Sequence, residues 1–166
     1  MPLINVNRPP VAIGVSWSAR DETYKTLKRD LLDRVRVRLV SRVDFAFDLW
    51  DSELVPLGLD WKPAILHELD TRPYAMPLLS PGYLASPFII TEEWPRAARS
   101  TMFPVSLIPV DLTPGVLTPA VTARQIFSAD GKSYSQLSGN AARDQFADDF
   151  IKAMINRLNT PTVTTP

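Results

Sequence analysis

The chain has no cysteine among its 166 residues and one histidine, His67. The first absence excludes disulfide frameworks, thiolate catalysis and cysteine-ligated zinc, and a lone imidazole cannot build a histidine-based metal site. An excess of charge of either sign is also missing. Lys and Arg total 18 against 18 Asp and Glu, so no net field draws the chain to nucleic acid or to an acidic membrane surface. No apolar run approaches the roughly 20 residues that span a bilayer. The opening MPLINVNRPP has no basic segment followed by an apolar one. Together these absences lead us to expect a cytoplasmic, unexported chain with no metal. One domain of this length buries a core without covalent or metal staples.

What is present is an alternation of short apolar runs with amphipathic ones. After Pro9-Pro10, the run Val11 to Ser16 (VAIGVS) predicts a strand buried on both faces. Asp21 and Glu22 then open a segment with Tyr24, Leu27, Leu31, Val35 and Leu39 at helical spacing, which predicts a core-facing helix with acids early and bases late. Val43 to Leu49 alternates and predicts a strand. A loop from Asp51 to Asp60, interrupted at Pro56-Leu57-Gly58, leads to helical spacing from Trp61 to Leu69. Strands are predicted at Tyr74 to Leu79, Val105 to Val110 and Ala123 to Phe127, with a short helix over Glu92 to Arg99 and a turn at Asp130-Gly131. A last helix carries Phe146, Phe150, Met154 and Leu158 on one line, widened by Ile151 and Ile155. Residues 1–10 read as an amino-terminal extension, 11–159 as one domain, and 160–166 as a linker or disordered tail that can continue into another domain. This rhythm implies a parallel sheet with helices on both faces, whose ligands bind where loops leave the carboxyl ends of the strands.

The stretch Tyr74 to Ala97, YAMPLLSPGYLASPFIITEEWPRA, carries the chemistry. Two adjacent carboxylates, Glu92 and Glu93, sit between Phe88-Ile89-Ile90 and Trp94. Apolar neighbours and mutual repulsion make ionisation of the pair costly, as in a carboxylate lining a pocket. The alternative is a pair of first-turn helix residues favoured by the macrodipole.

Three boxes in order resemble the Toll/interleukin-1 receptor (TIR) domain, of the bacterial NAD-cleaving type, over Val11 to Leu158. VAIGVSWSARDE is similar to the opening box, with Ser16 keeping the family's serine and Gly14 departing from its usual pattern. WDSELVPLGLDW is similar to the second box and its BB loop, with one residue inserted in the Pro-Gly turn. LLSPGYLASPFIITEEWPRA is similar to the strand, turn and helix that bear the family's glutamate. The resemblance implies a flavodoxin-like fold with a five-stranded parallel sheet in the order 2-1-3-4-5. It also implies cleavage of the nicotinamide–ribose bond of NAD+, as substrate and with no cofactor, to linear or cyclic ADP-ribose. Matching from Ser86 to bacterial members selects Glu93 as the catalytic acid, with Ala97 as the small residue after it; matching to receptor-type members selects Glu92 as fallback.

Other roles follow by position. Ser16, Ser18 and Arg20 leave the first strand and can contact ribose or phosphates, although Arg20 is equally suited to solvent. Trp50 can stack on a base, and Gly58 shapes the loop. Asp51 either faces substrate or caps a turn, and Trp61 is expected to fill the core. Ser80 either faces the nucleotide or satisfies a turn, and His67 is expected at the surface. The implied partners are NAD+, other TIR domains in a homo-oligomer or filament, and a fused or associated sensor domain, with no nucleic acid contacted directly and no membrane. The competing implication is a non-catalytic adaptor that signals by self-association.

Overall fold

The computed structural model describes residues 7–113 and 119–161. Parts of the expected amino-terminal extension (1–6) and tail (162–166) lie outside them. Strand β1 (Pro10–Ser16) is central, flanked in parallel by β2 (Ala46–Trp50) and β3 (Tyr74–Leu79). Val11, Ile13 and Val15 of β1 enter one core, and Gly14 faces the other way. A Cβ at Gly14 would lie 3.2 Å from Leu69 Cδ2, so the glycine lets a helix sit close on the sheet. On the far side of β3 run two short strands, β4 (Thr101–Met102) and β5 (Val105–Ser106), both parallel to it. The result is a five-stranded parallel sheet, β2-β1-β3-β4 with β5 also on β3, consistent with the flavodoxin-like arrangement.

Helix α1 (Lys25–Val40) and the carboxyl-terminal α6 (Gly139–Asn159) cover one face. Leu31, Leu32, Val35 and Leu39 of α1 meet Phe146, Phe150, Ile151 and Met154 of α6 in the main core. Arg34 to Asp144 and Arg38 to Asp148, each at 2.5 Å, tie the two helices outside it. The opposite face carries α2 (Trp61–Thr71) and α4 (Trp94–Arg99), which close a smaller cluster of Ile65, Leu69, Ala75 and Ala97. Two single-turn helices, α3 (Pro81–Leu84) and α5 (Pro119–Thr122), complete the elements used below. Among the described residues no helix is long and apolar enough to cross a membrane.

Several expected elements are displaced. Asp21 and Glu22 lie in a 3-10 turn (Ala19–Tyr24) ahead of α1, so the helix proper has no acid in its first turn. The second strand starts at Ala46 rather than Val43, because an Arg42–Asp44 ion pair at 2.5 Å holds a turn there and leaves Val43 77% exposed. The strand expected at Val105 to Val110 ends at Ser106, where the backbone N–H groups of Leu107 and Ile108 both donate to Leu79 O. Ala123 to Phe127 is not a strand but a single parallel bridge from Phe127 to Val105. Trp61, expected in the core, is 52% exposed at the start of α2 and packs edge-on against Phe88 at 5.6 Å. The Asp130-Gly131 turn is present, both residues at positive φ, closing an Ala129–Lys132 bridge.

Candidate active site

Pro95 governs where the two carboxylates point. Lacking an N–H, and with a ring that crowds the carbonyl four residues back, it cannot continue an ordinary helical turn. The chain before it widens into a π-helical turn, Ile89–Glu93, in which Trp94 N–H reaches back to Ile89 O. In this turn Glu93 faces inward and is 3% exposed. Glu92 turns outward to an ion pair with Arg96 at 2.9 Å. The pair therefore splits into one buried and one exposed, ion-paired carboxylate.

Glu93 meets the carboxyl end of β1. Ser16, last residue of that strand and 1% exposed, donates its hydroxyl to Glu93 Oε2. Its oxygen lies 2.9 Å from the Tyr83 hydroxyl on α3. Since the Ser16 proton goes to the carboxylate, Tyr83 donates to Ser16, and the three groups form a directed chain from Tyr83 to Ser16 to Glu93. Ser80 fixes α3 by accepting from Tyr83 N–H at 3.0 Å as its N-cap, and Tyr83 itself stands edge-on to Trp94. Burial pushes the Glu93 carboxyl up to about 7, partly opposed by the Ser16 hydrogen bond. Burial likewise drives the Tyr83 phenol far up, so it remains a donor. No guanidinium or ammonium is paired with Glu93 among the described residues.

The neighbouring strand exit is built differently. Asp51, one residue beyond β2 and 3% exposed, caps the 3-10 turn Ser52–Leu54 by accepting from Glu53 N–H at 2.8 Å. It also takes Arg36 at 3.0 Å and Lys28 at 3.5 Å. Lys28, 0% exposed, donates to Glu53 at 2.7 Å and lies 4.1 Å over the ring of Trp17. Trp17 in turn donates its indole N–H to Ser52 at 2.8 Å. Arg29, chiefly, and Lys28 hold the Glu53 carboxyl down to about 2 against partial burial.

The structure thus brings Ser16, Ser80 and Glu93 together around Tyr83. Ser18 is buried and accepts from Arg20 N–H at 3.2 Å, while Arg20 is exposed. Asp51 is a turn cap and ion-pair member. Trp50 is partly buried against the small cluster under α2 and α4. Gly58 has φ +87° at an exposed loop tip next to Leu57 and Leu59, both exposed. His67 is exposed, as expected. Two residues were not anticipated. Tyr83 carried a signal, a hydroxyl-bearing aromatic three residues after the strand-end Ser80. Lys28 lies three and four residues before Leu31 and Leu32, on the buried face of α1. No protein-family model and no curated protein sequence matches the chain.

Proposed function

We propose that the chain is a TIR domain acting as an NAD+ glycohydrolase, with Glu93 as the catalytic carboxylate. What carries the reading is one observation: a carboxylate with no cationic partner among the described residues, buried at the carboxyl end of a parallel sheet and held by the hydroxyl that ends the central strand. Ligands of such sheets bind at that edge. The chemistry suits one carboxylate. The C–N bond between ribose C1′ and the nicotinamide nitrogen breaks, nicotinamide leaves with the electron pair as a neutral molecule, and positive charge develops on the ribose. An ionised Glu93 in a site of low polarity stabilises that charge, and water oxygen then bonds to C1′ with loss of a proton, giving ADP-ribose. Attack by the adenine ring in place of water gives the cyclic product.

Glu93 is only 3% exposed, so substrate reaches it after the surrounding chain moves. Activation by assembly with other TIR domains, driven by a fused or associated sensor in an immune effector of the cytoplasm, fits that closure. The second reading, a non-catalytic adaptor, is favoured by the exposed apolar loop, where Leu57 is 105% and Leu59 60% exposed. The test is NAD+ consumption by concentrated or bead-clustered protein, with products identified by chromatography. The enzyme reading expects nicotinamide release that is lost in Glu93→Ala and kept in Glu92→Ala. Clustered wild type without turnover would move the assignment to the adaptor.

A further inference from the structure

A cavity of about 1120 Å³ opens at the amino-terminal edge of the sheet, the end opposite Glu93. It exists because the sheet splits there. Among the described residues, the chain after α5 pairs with β5 at the Phe127–Val105 bridge alone, and Arg124, upstream of that bridge, and Thr101 of β4 both line the cavity. Phe103 and Phe150, 5% and 2% exposed, and the half-buried Phe127 line its apolar side.

The wall is strongly basic in a chain whose charges balance as a whole. Five arginines and one carboxylate, Asp70, line the cavity. Arg72 is matched from outside by Glu68 at 2.6 Å and Asp48 at 2.8 Å, and Arg96 by Glu92. Asp70 is shared between Arg96 at 3.2 Å and Arg99 at 3.3 Å. Arg124 and Arg157 have no carboxylate partner among the described residues. The negative ends of α2, α4 and α6 lie at this edge, and Arg99 and Arg157 in the last turns of α4 and α6 offset part of that field. Arg124 belongs to no such turn, and its charge is left over. A concave wall that concentrates one sign of charge beside aromatic rings suits an anion with a flat apolar body.

We propose that this cleft binds a phosphorylated nucleotide, its phosphates on Arg99, Arg124 and Arg157 and its base against the half-buried Phe127, at a site separate from Glu93. The site does not depend on the NAD+-cleaving reading, and ATP serves as a probe that reading does not consume. Titration calorimetry with ATP and with inorganic tripolyphosphate, on wild type, Arg124→Glu/Arg157→Glu and Glu93→Gln, tests it. ATP is expected to bind more tightly than tripolyphosphate, to weaken with added salt, and to lose at least about tenfold in affinity in the double variant. Glu93→Gln is expected to leave ATP binding unchanged. Urea unfolding of the double variant verifies that it is folded. The proposal is overturned by no ATP binding, by equal affinity for tripolyphosphate, by binding insensitive to the double variant, or by loss of ATP binding in Glu93→Gln. The insensitive case would mean that the arginines only neutralise helix ends.

Discussion

At the carboxyl rim of the sheet, acids lie just beyond neighbouring strands in opposite company. Asp51 and Glu53, after β2, are ringed by Lys28, Arg29 and Arg36 and serve as anchors for a turn. Glu93, against the end of β1, has the Ser16 hydroxyl for a partner, backed by Tyr83, and no cation among the described residues. The cations hold Glu53 down to about 2, whereas burial pushes Glu93 up to about 7. Ion pairing makes a carboxylate inert and structural. Burial beside neutral donors leaves the carboxylate uncompensated and its charge costly, so a cation that arrives later, such as a ribose losing nicotinamide, gains the full interaction with it.

The largest expected effect breaks the anchored side. Lys28→Ala leaves Asp51 buried with one cation fewer and Trp17 without its cover, and should cost roughly 3–5 kcal/mol in urea unfolding. On the other side, Glu93→Gln should lower nicotinamide release by about 10²–10³-fold, read by chromatography. The same substitution should stabilise the fold. A carboxyl raised from its ordinary 4.5 to about 7 binds its proton more tightly when folded, so the group costs nothing below pH 4.5, and the cost grows as pH rises to 7 and persists above. Relief of it in Glu93→Gln at pH 8 should be on the order of 3 kcal/mol in urea unfolding. Glu53 has the opposite sign, its contribution full above 4.5 and lost as pH falls toward 2. A smaller change sharpens the comparison. Ser16→Ala removes the hydroxyl that favours ionised Glu93, and should move the acid limb of the turnover profile about one pH unit upward. Glu92→Gln, which breaks an exposed pair with Arg96, should alter stability by less than about 0.5 kcal/mol.

The frame that carries this contrast was legible in sequence, and the reasons for the rest are specific. VAIGVS and YAMPLL announced buried parallel strands because their apolar runs are continuous, and the α6 stripe followed from its spacing. The loss of the strand at Ala123 to Phe127 was not legible, since a single bridge at Phe127 depends on how β5 turns away at Leu107. Trp61 misled because an aromatic at a helix start reads as core, while here Phe88 offers it a surface partner. The preference for Glu93 over Glu92 came from resemblance, and the structure supplies a local cause for their different orientations, the wide turn before Pro95. Lys28 was hidden because a lysine beside Leu27 reads as surface until Asp51, Glu53 and Trp17, distant in sequence, converge on it.

The most direct measurement is the titration of the Glu93 side-chain carboxyl by carbon-13 NMR in the unclustered wild-type chain, assigned by comparison with Glu93→Gln. A midpoint near pH 7 is expected from its cation-free burial. A midpoint at or below 4.5, its ordinary value, would mean that Glu93 is solvated or ion-paired, and would contradict the contrast between the two acids.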